Sequence, residues 1–212
     1  MITDLVEVDP QAPADEAIER AVRVIREGGL VAVPTDGLYA LVADPYNLRA
    51  VGRVFAAKGR ESVRSLPLFV SGHLMAEDLG KDLSPRFEIL TRKFWPGPLT
   101  IIVTASARVP LKVTGNTGRV AMRQSTAAVV MKMLEKLEQP LIATSANLSG
   151  QPTCNSGIQV FGTMDGRVDL VIDGGLCAGA GNTTVDITET RWRLIKEGAI
   201  PELEISDCLQ GT

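Results

Sequence analysis

The chain has 212 residues, 45% of them hydrophobic and 22% charged, and a formal net charge of −3. That length and apolar content allow one α/β domain with a sizeable core and exclude a disordered chain, while the charge argues against a uniformly basic nucleic-acid binder. No stretch approaches the ~18 continuous apolar residues of a membrane span, and the acidic start (Asp4, Glu7, Asp9) lacks the basic head of a signal peptide, so a cytoplasmic protein without membrane association is expected.

Pro13, followed by Asp15 and Glu16, opens a helix in which Ala17, Ile18, Ala21, Val22 and Ile25 recur at three- and four-residue spacing, and Gly28-Gly29 stops it. LVAV (30–33) reads as a buried strand ended by Pro34, and GLYALV (37–42) as a second strand after a tight connection. Asn47 caps a helix with Val51, Val54 and Phe55 on one side, running to about Ala57. LPLFV (66–70) is a strand starting near a proline. Ser84-Pro85 is a capped helix start leading to Phe87, Leu90 and Phe94, and WPGP (95–98) cannot continue it. TIIVT (100–104) and RVAMR (119–123) follow as strands. Ser125 or Thr126 then caps a helix that buries Val129, Val130, Met133, Leu134 and Leu137.

PLIAT (140–144), DLVI (169–172), TTVDI (183–187) and RWRLI (191–195) complete a strand-rich order. GGLCAGAG (174–181) is the one glycine-rich loop, and residues 201–212 read as a loose tail. Strands alternating with a few helices predict an α/β sheet, mixed because several connections are too short for parallel crossovers. No repeat or linker divides the chain, so a single domain over 1–212 is expected, with its core at about 14–199.

Cys154, Cys177 and Cys208 are odd in number and widely spaced without a CxxC pair, which predicts neither a disulfide framework nor a zinc site. The only histidine, His73, cannot support a multi-histidine metal site, and in HLMAEDL it reads as a surface or strand-end residue. Charge is unevenly spread: residues 89–134 hold Arg92, Lys93, Arg108, Lys112, Arg119, Arg123 and Lys132 and no acid, and a second cluster joins Arg49, Arg53, Lys58, Arg60 and Arg64. One-sided segments point to an anionic ligand; pairing with the acidic N- and C-terminal segments across the fold is the alternative.

Lys58-Gly59-Arg60 falls where the Asn47 helix should end. A glycine there can release the backbone so that both cations converge on a polyphosphate, or the pair simply offsets the helix dipole. Ser145-Ala146-Asn147, in ATSANLSG, would set a hydroxyl and an amide on one side of an extended segment, and is equally well a turn. Thr35 and Asp36 form a similar polar strand end. There is no GxxxxGK[ST], and Gly179-x-Gly181 lacks the third glycine of a dinucleotide fingerprint. Trp95 and Tyr39 read as packing residues ahead of base-stacking ones.

Seven segments in order resemble those of the YrdC family: PTDGLYAL, KGR, SLPLFV, FWPGPLT, RVAMRQ, ATSANLSG and NTTVDIT. The resemblance implies an α/β fold with a twisted mixed sheet flanked by helices and a positively charged cleft. It further implies an L-threonylcarbamoyladenylate synthase that joins L-threonine, bicarbonate and ATP, brought with Mg2+, into threonylcarbamoyl-AMP and pyrophosphate, with no tightly bound cofactor and no protein metal site. Downstream threonylcarbamoyl transferase proteins would carry the group to adenosine 37 of tRNA. By similarity, Lys58 and Arg60 would be the catalytic pair, contacting phosphates and the threonine carboxylate. Thr35, Arg123 and Ser145 would bind substrate, and Ser145, Asn147, Thr183 and Lys196 the nucleotide. The sequence departs from the family pattern at Asp36-Gly37, Ala40, Glu61 and KEG (196–198), where Lys196 stands in place of an arginine. PTDGLYAL and the TTV…EG ending lean towards YciO-like proteins, and the alternative is a YciO-like protein without synthase activity that binds double-stranded RNA or tRNA through residues 89–134.

Overall fold

A computed structural model of the chain describes residues 2–60 and 64–210. In chain order it contains β1 (Asp4–Glu7), α1 (Asp15–Arg26), β2 (Val31–Val33), β3 (Ala40–Val42), α2 (Leu48–Ala57), β4 (Leu68–Phe69), α3 (His73–Leu79) and α4 (Pro85–Phe94). There follow β5 (Leu99–Thr104), α5 (Leu111–Thr114), β6 (Arg119–Arg123), α6 (Ala128–Leu137), β7 (Leu141–Ile142) and β8 (Thr144–Ser145). α7 (Gly157–Met164), β9 (Leu170–Asp173), β10 (Thr183–Asp186), β11 (Arg193–Lys196) and α8 (Glu202–Gln210) complete it.

Local chemistry explains the long helices. α1 buries all five expected positions, Ala17, Ile18, Ala21, Val22 and Ile25, and carries Asp15 and Glu16 in its first turn and Arg23 and Arg26 in its last, as the helix dipole favours. Asn47 caps α2 by accepting hydrogen bonds from the backbone N–H groups of Arg49 and Ala50. Two expected caps are not made. α4 starts beside Ser84 without a side-chain cap bond, and the Ser84 hydroxyl is buried without a partner among the described residues. α6 starts after Ala127, and Ser125 instead binds the Asp36 carboxylate while accepting from the Ala127 N–H.

The mixed sheet is divided into two hydrogen-bonded sheets. Five strands run in the order β1-β9-β2-β3-β8 and six in the order β11-β10-β5-β6-β4-β7. In the first, β9 is parallel to both β1 and β2, whereas β3 runs antiparallel to β2 and β8. In the second, β5 pairs parallel to β10 and antiparallel to β6, and β4 lies parallel to β6. Val31, Val33, Val42, Leu170 and Ile172 pack with α1 and α6 into one core cluster, while Ala32, Leu41 and Val171 point into a second. Both faces of the five-stranded sheet are thus covered, and its strands accordingly read as unbroken apolar runs.

PLIAT is not one strand. Leu141 and Ile142 pair with β4 in the six-stranded sheet, whereas Thr144 and Ser145 pair with Leu41 and Ala40 of β3 in the other. Ala143 is the crossing point, its N–H bonded to the Pro67 carbonyl. The expected loose tail is also corrected: α8 occupies residues 202–210, buries Ile205 and packs against α4, with Lys93 3.9 Å from Glu204. His73 is a surface residue as expected, but it opens a helix rather than ending a strand, and its ring lies 3.3 Å from Glu77 one turn on. Among the described residues no helix is long and apolar enough to cross a membrane.

Candidate active site

α2 ends in a glycine-based cap that shapes the KGR segment. Gly59 has φ +60°, its N–H bonds the Ala56 carbonyl, and the Arg60 N–H reaches back to the Phe55 carbonyl, the paired bonds of a Schellman motif. Lys58 is therefore the last residue of helical conformation, and its backbone carbonyl accepts from the Ser149 N–H at 2.9 Å. Its ammonium turns the same way, donating to the carbonyl and hydroxyl of Ser145 and, at 3.1 and 2.9 Å, to the carbonyl and side-chain oxygen of Asn147. The expected meeting of Lys58, Ser145 and Asn147 is thus present. The Ser145 hydroxyl also donates to the Asn147 side-chain oxygen at 2.6 Å, and the Asn147 amide donates to the Gln151 carbonyl at 2.5 Å.

Burial, reinforced by the neighbouring Arg60 charge, pulls the Lys58 pKa down to about 8. Arg60 stacks its guanidinium 5.5 Å from the Phe55 ring centre and leaves Nε and one terminal nitrogen buried without a hydrogen-bond partner among the described residues. Burial and then Arg64 lower its pKa. Orphaned buried guanidinium donors are costly unless something else accepts from them. Glu61, the departure from the family pattern beside it, lies outside the described residues.

The two sheets enclose a cavity of about 320 Å³. Ala40, Thr144 and Ser145 line it from the five-stranded sheet; Phe69, Thr100, Arg123, Thr184 and Lys196 line it from the six-stranded one, and Thr35 closes one side. Lys58, Arg60 and Asn147 do not line it; Lys58 and Asn147, 3% and 7% exposed, reach it only through their hydrogen bonds to Ser145. The Thr35 hydroxyl donates to the Leu38 carbonyl at 2.6 Å and accepts from the Gly37 N–H, which fixes the turn after β2. Arg123, the last residue of β6, is 2% exposed; burial lowers its pKa and Asp36 opposes that. Lys196 reaches the cavity from the exposed edge strand β11.

Thr183 is placed differently from expectation. It is fully buried, donates to the Ile200 carbonyl at 2.6 Å, and accepts from the N–H groups of Gly198 at 3.0 Å and Ile200 at 2.9 Å. Its hydroxyl is a clasp on the 198–200 turn, and the neighbouring Thr184 lines the cavity instead. Sequence reasoning missed Asn182, which accepts from Arg123, and Asp36 as its ionic partner; an acid directly after Thr35 was the available signal. Tyr39 and Trp95 are packing residues: the Tyr39 hydroxyl donates to the Gly175 carbonyl, and the Trp95 ring donates to the Leu99 carbonyl.

The basic run at 89–134 is largely matched by carboxylates, most of them remote in sequence. Arg92 pairs with Glu88, Lys93 with Glu204, Arg108 with Asp78, Arg119 with Asp186 and Glu189, Arg123 with Asp36, and Lys132 with Asp15. The expected pairing with the terminal segments accounts for Lys132, Lys93 and Arg119, whereas Arg92, Arg108 and Arg123 pair with Glu88, Asp78 and Asp36. Among the described residues no group of three or more His, Cys, Asp or Glu side chains could hold a metal, and His73 does not line the cavity. The site offers cations, hydroxyls and amides, a set suited to holding anionic groups in position and neutralising charge that develops on them.

Residues 23–198 match the Sua5/YciO/YrdC family, described as telomere recombination. The chain is 38% identical over 189 residues to a threonylcarbamoyl-AMP synthase of Pyrococcus abyssi, a match covering 89% of this chain and 56% of that protein. It spans little more than half the length of that curated relative. The crystal structure of P. abyssi Sua5 complexed with L-threonine matches with a TM-score of 0.93 at 35% identity, covering 98% of this chain and 61% of that one. E. coli YciO shares the fold at a TM-score of 0.86 and 23% identity, over 94% of this chain and 98% of that one. The ordered motifs, the two-sheet architecture and these matches agree: the chain belongs to the Sua5/YciO/YrdC family.

Proposed function

We propose that the protein is an L-threonylcarbamoyladenylate synthase. Bicarbonate and the threonine amine give N-carboxythreonine and water; its new carboxylate attacks the α-phosphorus of ATP, and the bond to the bridging oxygen breaks to release pyrophosphate. Magnesium enters with ATP as part of the substrate. Thr35 and Arg123 would receive the threonine end. Ser145, steadied by Lys58 and Asn147, would meet the phosphates together with Arg60, and Lys196 would reach them from the opposite wall. Such a reaction requires no covalent enzyme intermediate: alignment of the carboxylate with phosphorus and neutralisation of the transition-state charge carry the rate. The adenylate would pass, in the cytoplasm, to transferase proteins that modify tRNA.

One observation carries this reading. Thr35, Arg123, Ser145 and Lys196 come from four separate segments yet surround one cavity, in a fold matching the threonine-complexed Pyrococcus protein with a TM-score of 0.93. Its volume, about 320 Å³, falls in the ~300–1,000 Å³ range of small-molecule sites. The RNA-binding reading finds less support, because the cations it needs are mostly paired internally. Purified protein supplied with ATP, L-threonine and bicarbonate is expected to release pyrophosphate only when threonine is present. Release without threonine, or none at all, refutes the proposal.

A further inference from the structure

Arg123 is held on every side but one. Its face lies 5.3 Å from the Phe69 ring centre, one terminal nitrogen donates to the Asn182 side-chain oxygen, and the other donates to Asp36 Oδ1 at 2.8 Å. Nε is buried and has no partner among the described residues. The same Asp36 oxygen accepts from the Ser125 hydroxyl, so the carboxylate is itself tethered at the entry to α6. Behind it the glycine-rich loop leaves no slack: a Cβ on Gly179 would fall 2.3 Å from the Asp36 carbonyl oxygen.

The pair forms a partition. Arg123 lines the cavity between the sheets, whereas Asp36 lines a neighbouring cavity of about 350 Å³, and Thr35 borders both. Asp36 itself does not line the cavity between the sheets, and its carboxylate meets Arg123, which does. It also joins the turn after β2, in one sheet, to the end of β6, in the other. We propose that Asp36 is a positioning residue: it fixes the Arg123 guanidinium so that its unpaired edge meets an anionic group of the substrate, and as resident counter-ion it limits how tightly that group is held. The inference rests on the synthase reading, in which Arg123 contacts substrate.

The two effects have opposite signs in one variant. Asp36→Asn removes the charge that repels an incoming anion, so the affinity for L-threonine or ATP should rise about tenfold. It also frees the guanidinium, so kcat should fall about tenfold through lost alignment. Asp36→Glu keeps the charge and should recover the wild-type affinity with part of kcat. A residue that merely supported the fold would weaken binding and turnover together. Calorimetric titration with ATP and with L-threonine, paired with pyrophosphate-release kinetics, reads both quantities. Unchanged affinity in Asp36→Asn, or affinity and kcat falling together, overturns the inference. Where Asp36→Asn does not fold, Ser125→Ala retains the charge and removes its tether; lower kcat at unchanged affinity supports the inference, and wild-type kcat overturns it. A wild-type protein that binds neither ligand removes the synthase reading and this inference with it, whereas an active wild type beside an indistinguishable Asp36→Asn removes this inference alone.

Discussion

Lys58 gives the site a sharp pH dependence. Its ammonium is surrounded by four protein oxygens, none of them a carboxylate, and burial followed by the Arg60 charge lowers its pKa from 10.5 to about 8. At pH 7 the group is charged; at pH 9 only about a tenth of it remains so. If the phosphates depend on this charge and on the Ser145–Asn147 turn it braces, kcat/KM should fall about tenfold from pH 7 to pH 9. Folding responds in the opposite direction. The folded pKa lies below the unfolded one, so the unfolded chain binds more protons between them, and the contribution to stability is complete above about 10.5 and lost as pH falls through about 8. Stability from this group should therefore rise by about 1.4 kcal/mol per pH unit across that window, roughly 3 kcal/mol in all. Pyrophosphate-release kinetics and urea unfolding over the same pH series measure both trends. Lys58→Arg, permanently charged, should lose the alkaline fall whatever its absolute rate. A wild-type profile that stays flat through pH 10 refutes the reasoning.

Thr183→Val removes a hydroxyl engaged in three hydrogen bonds and leaves the Gly198 and Ile200 N–H groups unanswered, so urea denaturation should show a loss of about 2–4 kcal/mol; a loss under ~0.5 kcal/mol would show that the clasp is dispensable. Gly179→Ala sets a methyl 2.3 Å from the Asp36 carbonyl oxygen and 2.7 Å from Gly37 Cα, both backbone, so the loop must shift. Its expected outcome is weaker threonine binding in calorimetry, and wild-type binding would contradict the packing described. Asn47→Ala should cost about 1 kcal/mol of stability by unfolding through loss of the α2 cap, with binding unaffected.

What could be read from the chain followed from how local the determinants are. The apolar face of α1, the Asn47 cap and the glycine after Lys58 each act within a few residues, and each is present as expected. β1 escaped notice because DLVE shows little pattern of its own; its strand conformation comes from parallel pairing with β9, more than 160 residues away. α7 begins with a glycine and contains another, a poor helix former held in place where the Gly157 N–H meets the buried Asp173 carboxylate. The run of cations at 89–134 pointed to a ligand because its counter-charges, Asp15, Asp36, Asp78, Asp186 and Glu204, are remote in sequence. Within the site, KGR and SAN were legible as motifs, and their contact was implied only by resemblance. That Thr183 faces inward and Thr184 faces the cavity is a matter of strand register, which no composition records.

The passage of the backbone from one sheet to the other at Ala143 has a mechanical consequence. There the Ile142 and Ala143 N–H groups are bonded to the Ala43 and Pro67 carbonyls, so main chain stitches the two leaves together, as a spine binds a book. Elsewhere the Arg123–Asp36 ion pair joins them through side chains. Substitutions near the spine can change what the leaves are made of without changing how far they part. Substitution of Arg123 or Asp36 is expected to act on the second join, and with it on the opening of the cleft.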